Sequence, residues 1–268
     1  MGDTVRISAQ SGSRSVDRAV SVLRLLAEKS GLGVGEVART LAIPKSSAAD
    51  VLRALVARNF IAQDRDGRYQ LGLGSFEIGA AYLRAMTPVA SVEPELEELT
   101  RVLSATAHFA VLDGDEVVYL AKHDPPLRAL DLASALGARL PAATTAVGKA
   151  QLAYVSALDG DDQFEPSRFV EFARIRVLGF ALDEGGTAPG VVCVAAPVFS
   201  PNGCCGAIGV STLVHDGPTR EASINAVVTA ATRATLRLGG VRPHADAVEL
   251  GRDFLPGDDM LLLREDLA

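Results

Sequence analysis

The sequence has no tryptophan, and aromatic residues make up only 5% of its 268 positions. Its apolar mass is mostly alanine, valine and leucine. No stretch reaches the ~18 consecutive apolar residues of a membrane-spanning helix. Residues 1–14 are polar and hold no apolar segment of signal-peptide length. These two absences lead us to expect a cytoplasmic protein with no membrane partner. Cysteine is scarce too: Cys193, Cys204 and Cys205 are an odd count, and two are adjacent. That pattern does not make a disulfide framework, and no His or Cys spacing matches a zinc site. Buried thiols are the plain reading. His108, His123, Asp124 and the cysteines could in principle supply a nucleophile and base. However, no nucleophile elbow, metal motif or phosphate loop is present. An enzyme is therefore not expected, nor a cofactor. There are no internal repeats and no low-complexity tract.

What is present suits a soluble globular chain: 48% hydrophobic and 22% charged residues. The length fits one large or two ordinary domains. The net charge of −7 hides an asymmetry. Residues 1–84 carry 12 Lys and Arg against 8 Asp and Glu, a balance of +4, and residues 85–268 carry 14 against 25, a balance of −11. A basic N-terminal third on an acidic protein suits one module that meets a polyanion and another that does not.

Val16, Ala19, Val20, Leu23 and Leu26 recur at helical spacing. A short second helix carries Val34, Val37, Ala38 and Leu41 and breaks before Pro44. A third opens at Lys45-Ser46-Ser47 and buries Ala48, Val51, Leu52 and Leu55. Strands at 60–63 and 68–71 flank the turn Asp64-Arg65-Asp66-Gly67. Three short helices and a hairpin make a winged helix-turn-helix, whose third helix presents its N-terminal residues to the major groove of double-stranded DNA. Lys45, Ser46 and Ser47 sit at that N-terminus, Arg53 lies further along, and Arg65 and Arg68 lie on the wing. The competing reading is a structural helical domain with ordinary surface charges.

The segments Ser15-Val16-Asp17-Arg18-Ala19, Val37-Ala38, Ile43-Pro44-Lys45-Ser46-Ser47 and Gly67-Arg68-Tyr69-Gln70-Leu71-Gly72 resemble the winged helix of IclR-type regulators. That family usually has Arg or Lys in the middle of the recognition helix, where this chain has Asp50. A carboxylate repels phosphate but can accept from cytosine N4. Asp50 therefore reads a base, faces away, or weakens binding.

Residues 74–84 read as a linking helix with Phe76, Gly79, Ala80 and Leu83 on one stripe, ended by Met86-Thr87-Pro88. A helix then starts in Ser91-Val92-Glu93-Pro94-Glu95. A hairpin follows at 107–112 and 116–121, with a third strand at 129–134. Helices are expected at 144–156 and 168–178. Two apolar runs, 191–199 and 204–214, are joined by Pro201-Asn202-Gly203, an Asn-Gly hairpin signal. Pro218 starts a final helix that stops at Gly239-Gly240. The fold class is α+β: a winged helix-turn-helix followed by an antiparallel-sheet sensor domain. The expected organisation is a flexible segment at 1–14, a DNA-binding domain at 15–73, a linker helix at 74–90, an effector domain at 91–240 and a tail at 241–268. The tail is either disordered or a docking segment.

The resemblance extends through Leu136-Gly137-Ala138-Arg139-Leu140-Pro141, Ala146-Val147-Gly148-Lys149-Ala150, Gly179-Phe180-Ala181-Leu182-Asp183-Glu184 and residues 190–198 and 203–211. These segments look like the GAF-like effector domain of the same family. The resemblance implies a small organic acid effector, its carboxylate held by the Ala146 and Val147 amides, with Asp183, Cys193 and Ser211 around it. A helix N-terminus offers unpaired donors and about +0.5 charge for that task. Asp183 can instead serve as a turn former, Cys193 as a core thiol and Ser211 as a strand filler. Gly209 stands where the family often has a second serine, and Gly185-Gly186 follow Glu184. Both changes point to a roomier, less polar pocket and a larger or more apolar ligand. The resemblance also implies a homo-oligomer, a dimer or dimer of dimers. The alternative function is an interaction or sensor protein that has lost DNA binding.

Overall fold

The computed structural model describes residues 13–126, 134–159, 166–214 and 217–243. The chain divides into two compact units that meet at Ala85–Met86.

The first unit contains α1 (Arg14–Glu28), α2 (Val34–Thr40), α3 (Lys45–Val56), the hairpin β1 (Ile61–Gln63) and β2 (Tyr69–Leu71), and α4 (Leu73–Ala85). Its core is aliphatic: Val22, Leu25, Leu26, Val37, Ala48, Leu52, Leu55 and Ile61. The inward face of α1 differs from expectation. Val16 and Val20 are 59% and 44% exposed, whereas Val22 and Leu25 are buried beside Leu26. Helix α1 packs on α3 and β2 through its second half, so the Val16–Val20 pair, one turn apart, forms a separate outward stripe. Between α2 and α3 the chain reverses with Ala42 at φ 52°, and the Ile43 amide donates to Ala38 O. That six-residue bond closes the end of α2 as in a Schellman motif. At the wing tip the Asp64 carboxylate accepts from the Asp66 and Arg68 amides, while Gly67 takes the left-handed conformation the turn needs.

The second unit contains α5 (Thr87–Leu103), β3 (Thr106–Asp113), β4 (Glu116–His123), β5 (Arg139–Pro141), α6 (Ala146–Asp159), α7 (Pro166–Leu178), β6 (Ala181–Glu184), β7 (Val191–Ser200), β8 (Gly203–Leu213) and α8 (Arg220–Arg237). Helix α5 begins at once after Met86, with Pro88 in its first turn and Pro94 inside it. The proline at 88 thus opens a helix and does not close a linker, because an early position needs no amide donor. The strands form one antiparallel sheet in the order β5-β4-β3-β8-β7-β6. Strands β5 and β6, its two edges, are too short to register as period-two runs. The strand expected at 129–134 falls on residues outside those described, except Ser134, which lies in no strand.

Helices α5 and α8 pack on each other and on one face of the sheet, and α6, backed by α7, packs on the other. Register sorts the side chains. His108 pairs with Gly209, Gly209 with Ala195, and Thr106 with Ser211, which pairs with Cys193, itself opposite Asp183. Residues directly opposite one another in a sheet share a face. The alternate residues Phe109, Ile208, Val194 and Ala196 are buried as well. A buried Glu95 on α5 accepts from Arg237 of α8 at 2.5 Å, joining the two covering helices.

Candidate effector pocket and nucleic-acid interface

The pocket is built where the first turn of α6 meets the sheet. Thr145 caps the helix: its Oγ1 accepts from the Gly148 amide at 3.1 Å, and its carbonyl accepts from Lys149 N. The amides of Ala146 and Val147, the first two of the helix, make no backbone hydrogen bond among the described residues. Gly148 is required here because a Cβ would overlap the Ala142 backbone, which lies across the turn. The cavity beside these amides is lined by His108, Tyr119, Ser134, Leu140, Thr145, Ala146, Val147, Thr187, Ala188, Val191, Cys193 and Ser211, with an empty volume of about 370 Å³ counted to its mouth.

Four of the five residues expected at this site therefore line one cavity: Ala146, Val147, Cys193 and Ser211. Cys193 Sγ and Ser211 Oγ lie 3.1 Å apart. Burial pushes the Cys193 thiol up to about 11, so it is neutral and unreactive. Asp183 does something different. Its Oδ1 accepts from the Gly186 amide at 2.7 Å, and its Oδ2 accepts from the amide and hydroxyl of Thr187. The carboxylate folds the 184–187 loop, and that loop carries Thr187 and Ala188 to the pocket wall. Asp183 is thus a loop former that places the wall.

Sequence reasoning weighed His108 only as a base and did not place it at this pocket. It is 2% exposed and edge-on to Tyr119 at 5.2 Å, and its Nδ1 has no hydrogen-bond partner among the described residues. Burial, aided by nearby Lys122, lowers its pKa to about 4, which keeps the ring neutral. Ser134 Oγ, 5% exposed in the same cavity, also lacks a partner. The pocket expected to be roomier is not so at Gly209. A Cβ at Gly209 would lie 2.7 Å from His108 Nε2 and 3.0 Å from Val147 Cγ1, so the imidazole occupies the room a serine would need. The signal was non-local, a histidine on β3 matched with a glycine on β8.

On the first unit, Lys45 and Ser46 are exposed at the start of α3 with Ser47 beside them, and Ala48, Leu52 and Leu55 face the core. Asp50 and Arg53 share the outer stripe, with Arg53 Nη1 3.4 Å from Asp50 Oδ1. Arg65 is exposed at the wing tip. Arg68 is otherwise engaged: its guanidinium donates to Gly31 O and pairs with Glu36 at 3.4 Å, tying the wing to α2. Glu36 also accepts from the Gly33 amide, which lowers its pKa.

The IclR helix-turn-helix domain matches residues 15–65, and the bacterial transcriptional regulator IclR C-terminal domain matches residues 80–235. The chain belongs to the IclR family. Among its relatives, the regulator BhcR of Paracoccus denitrificans is 31% identical over 89% of this chain and 91% of its own. The Escherichia coli regulator XynR is 29% identical over 75% of this chain and 86% of its own. An IclR regulator from Alicyclobacillus acidocaldarius shares the fold at a TM-score of 0.72, with 23% identity over 84% of this chain and 99% of its own. An IclR homologue from Microbacterium hydrocarbonoxydans, complexed with 4-hydroxybenzoate, also has a TM-score of 0.72, with 18% identity over 84% and 99%. Membership makes this IclR-type protein a transcriptional regulator with a DNA-binding helix-turn-helix and an effector-binding C-terminal domain. No helix among the described residues is long and apolar enough to cross a membrane.

Proposed function

We propose that this regulator switches its grip on a DNA operator when a small organic acid seats its carboxylate on the Ala146 and Val147 amides. One observation carries the reading. The first turn of α6, Ala146 and Val147, lines a cavity that also holds His108 Nδ1 and Ser134 Oγ, which lack partners among the described residues. A helix start with free donors is an anion site. The Microbacterium relative, complexed with an aromatic acid, is consistent with this class of ligand. The protein works as a cytoplasmic homo-oligomer without catalytic activity. Oligomerisation is supported by α4, where Leu73, Phe76 and Ile78 are 75%, 70% and 59% exposed. DNA is met by Lys45, Ser46, Ser47, Arg53 and Arg65, with Asp50 modulating that surface and Arg68 bracing the wing.

A ligand can change DNA affinity only through its differential affinity for two arrangements, a coupling of about 1–3 kcal/mol in typical systems. Val147→Pro removes one donor from the anion site. The folded variant, checked by circular dichroism, keeps near wild-type operator affinity and loses its response to the acid. A response at unchanged acid concentration places the carboxylate elsewhere.

A further inference from the structure

We propose that His108, seated opposite Gly209, selects the effector by reading a neutral hydroxyl or carbonyl on a short carboxylate whose charged end lies on the first turn of α6. The proposal rests on the pocket assignment above and extends it to the other end of the ligand. Two buried polar atoms in this cavity, His108 Nδ1 and Ser134 Oγ, lack partners among the described residues. Such atoms carry a desolvation cost that a matching ligand removes. The imidazole and the α6 turn converge, since His108 Nε2 and Val147 Cγ1 both flank the missing side chain of Gly209, at 2.7 and 3.0 Å from where a Cβ would stand. The polar group at this level of the pocket is therefore delivered from β3, across the sheet from the position on β8 that has none.

Charge decides what His108 meets. The nearby ions are already paired. Lys122 Nζ lies 3.0 Å from Asp124, and Lys149 Nζ lies 2.8 Å from Glu171. Asp183 is taken up by the 184–187 loop. Among the described residues, a second carboxylate on the ligand finds no free cation here, and an ammonium finds no free anion. A neutral imidazole offers one donor and one acceptor, and a serine hydroxyl offers both. They suit a hydroxyl or a carbonyl. The cavity is narrow, which keeps the acid short.

The test uses the full-length protein and matched pairs of straight-chain acids of two to five carbons. Each unsubstituted acid is compared with its 2- or 3-hydroxy and 2-oxo forms by calorimetric titration. A site built to hydrogen-bond an oxygen rejects the analogue that lacks it. In the wild type, at least one oxygenated acid binds tenfold or more tightly than its unsubstituted parent. In His108→Phe that ratio falls below threefold, and His108→Asn restores part of it. In ¹⁵N-detected spectra of the wild type, the same acid shifts the His108 imidazole resonances, a readout that does not depend on any variant folding. Equal binding of parent and oxygenated acids overturns the role of His108 and leaves the carboxylate site standing. So does a ratio that survives in His108→Phe, or imidazole signals that do not move. If none of the acids binds at 10 mM, the proposal falls, and the Val147→Pro test decides the carboxylate site separately.

Discussion

Arg53 Nη1 lies 3.4 Å from Asp50 Oδ1 on the outer face of α3, with both side chains more than 70% exposed. An ion pair this open contributes about 0–1 kcal/mol and exchanges readily for a phosphate. Asp50 thus holds Arg53 in reserve and lowers the positive charge of the reading helix. Asp50→Asn frees Arg53. Affinity for non-specific duplex rises severalfold, and the slope of log affinity against log salt steepens by roughly one unit. Fluorescence anisotropy across a salt series measures both. An unchanged slope means that Arg53 does not reach a phosphate.

The His108–Gly209 pairing predicts a double-mutant cycle. Gly209→Ser must displace the imidazole and press on Val147 and the Val194 carbonyl, 3.2 Å from the new Cβ. Overpacking of this kind costs about 1–3 kcal/mol. His108→Ser leaves a void instead. Together the two changes move a hydroxyl to β8 and relieve the clash, so their costs fall short of additive by about 0.5 kcal/mol or more in urea denaturation. Strict additivity would show that the two positions do not share space.

Burial holds the His108 pKa near 4, against an ordinary value of 6.5. Above pH 6.5 both the folded and unfolded forms of this ring are neutral, and it has no pH-linked effect on stability. As pH falls toward 4 the unfolded chain takes up the proton first, so stability is lost. At pH 5 the loss attributable to this ring is about 2 kcal/mol relative to pH 7.5. Comparing wild type with His108→Phe at the two pH values isolates it from the carboxylates. The difference vanishes if the ring is protonated in the folded state.

Arg242 donates to the carbonyls of Arg176 and Val177 at 2.6 and 3.1 Å and to the Tyr154 hydroxyl at 3.2 Å. It caps the end of α7 over Gly179, where a Cβ would collide with the guanidinium. Arg242→Ala removes charge-assisted bonds worth about 1–3 kcal/mol in sum and lowers the melting temperature by roughly 2–4 °C per kcal/mol. Arg242→Lys rescues little, because an ammonium cannot hold the forked geometry. A melting temperature unchanged in the alanine variant would make this cap ornamental.

Much of this protein was readable along the chain. Helical spacing located α3 and Asn202-Gly203 marked the β7–β8 turn, because these are local properties of a few consecutive residues. The rest depended on which strands lie side by side. The resemblance put Asp183 near a ligand and its own chemistry allowed a turn former; in the fold both of its oxygens accept from the 184–187 loop. Arg68 read as a wing contact, yet Gly31 and Glu36 hold it. Val16 matched the helical period of the core and still faces outward, since period alone does not say which stripe meets a neighbour. Above all, Gly209 alone implied an enlarged pocket. Only the pairing of β3 with β8, about a hundred residues apart, put His108 into that space, with its Nδ1 lacking a partner among the described residues. Local patterns determine elements and helix ends, whereas the occupancy of a cavity is settled by close packing between distant segments.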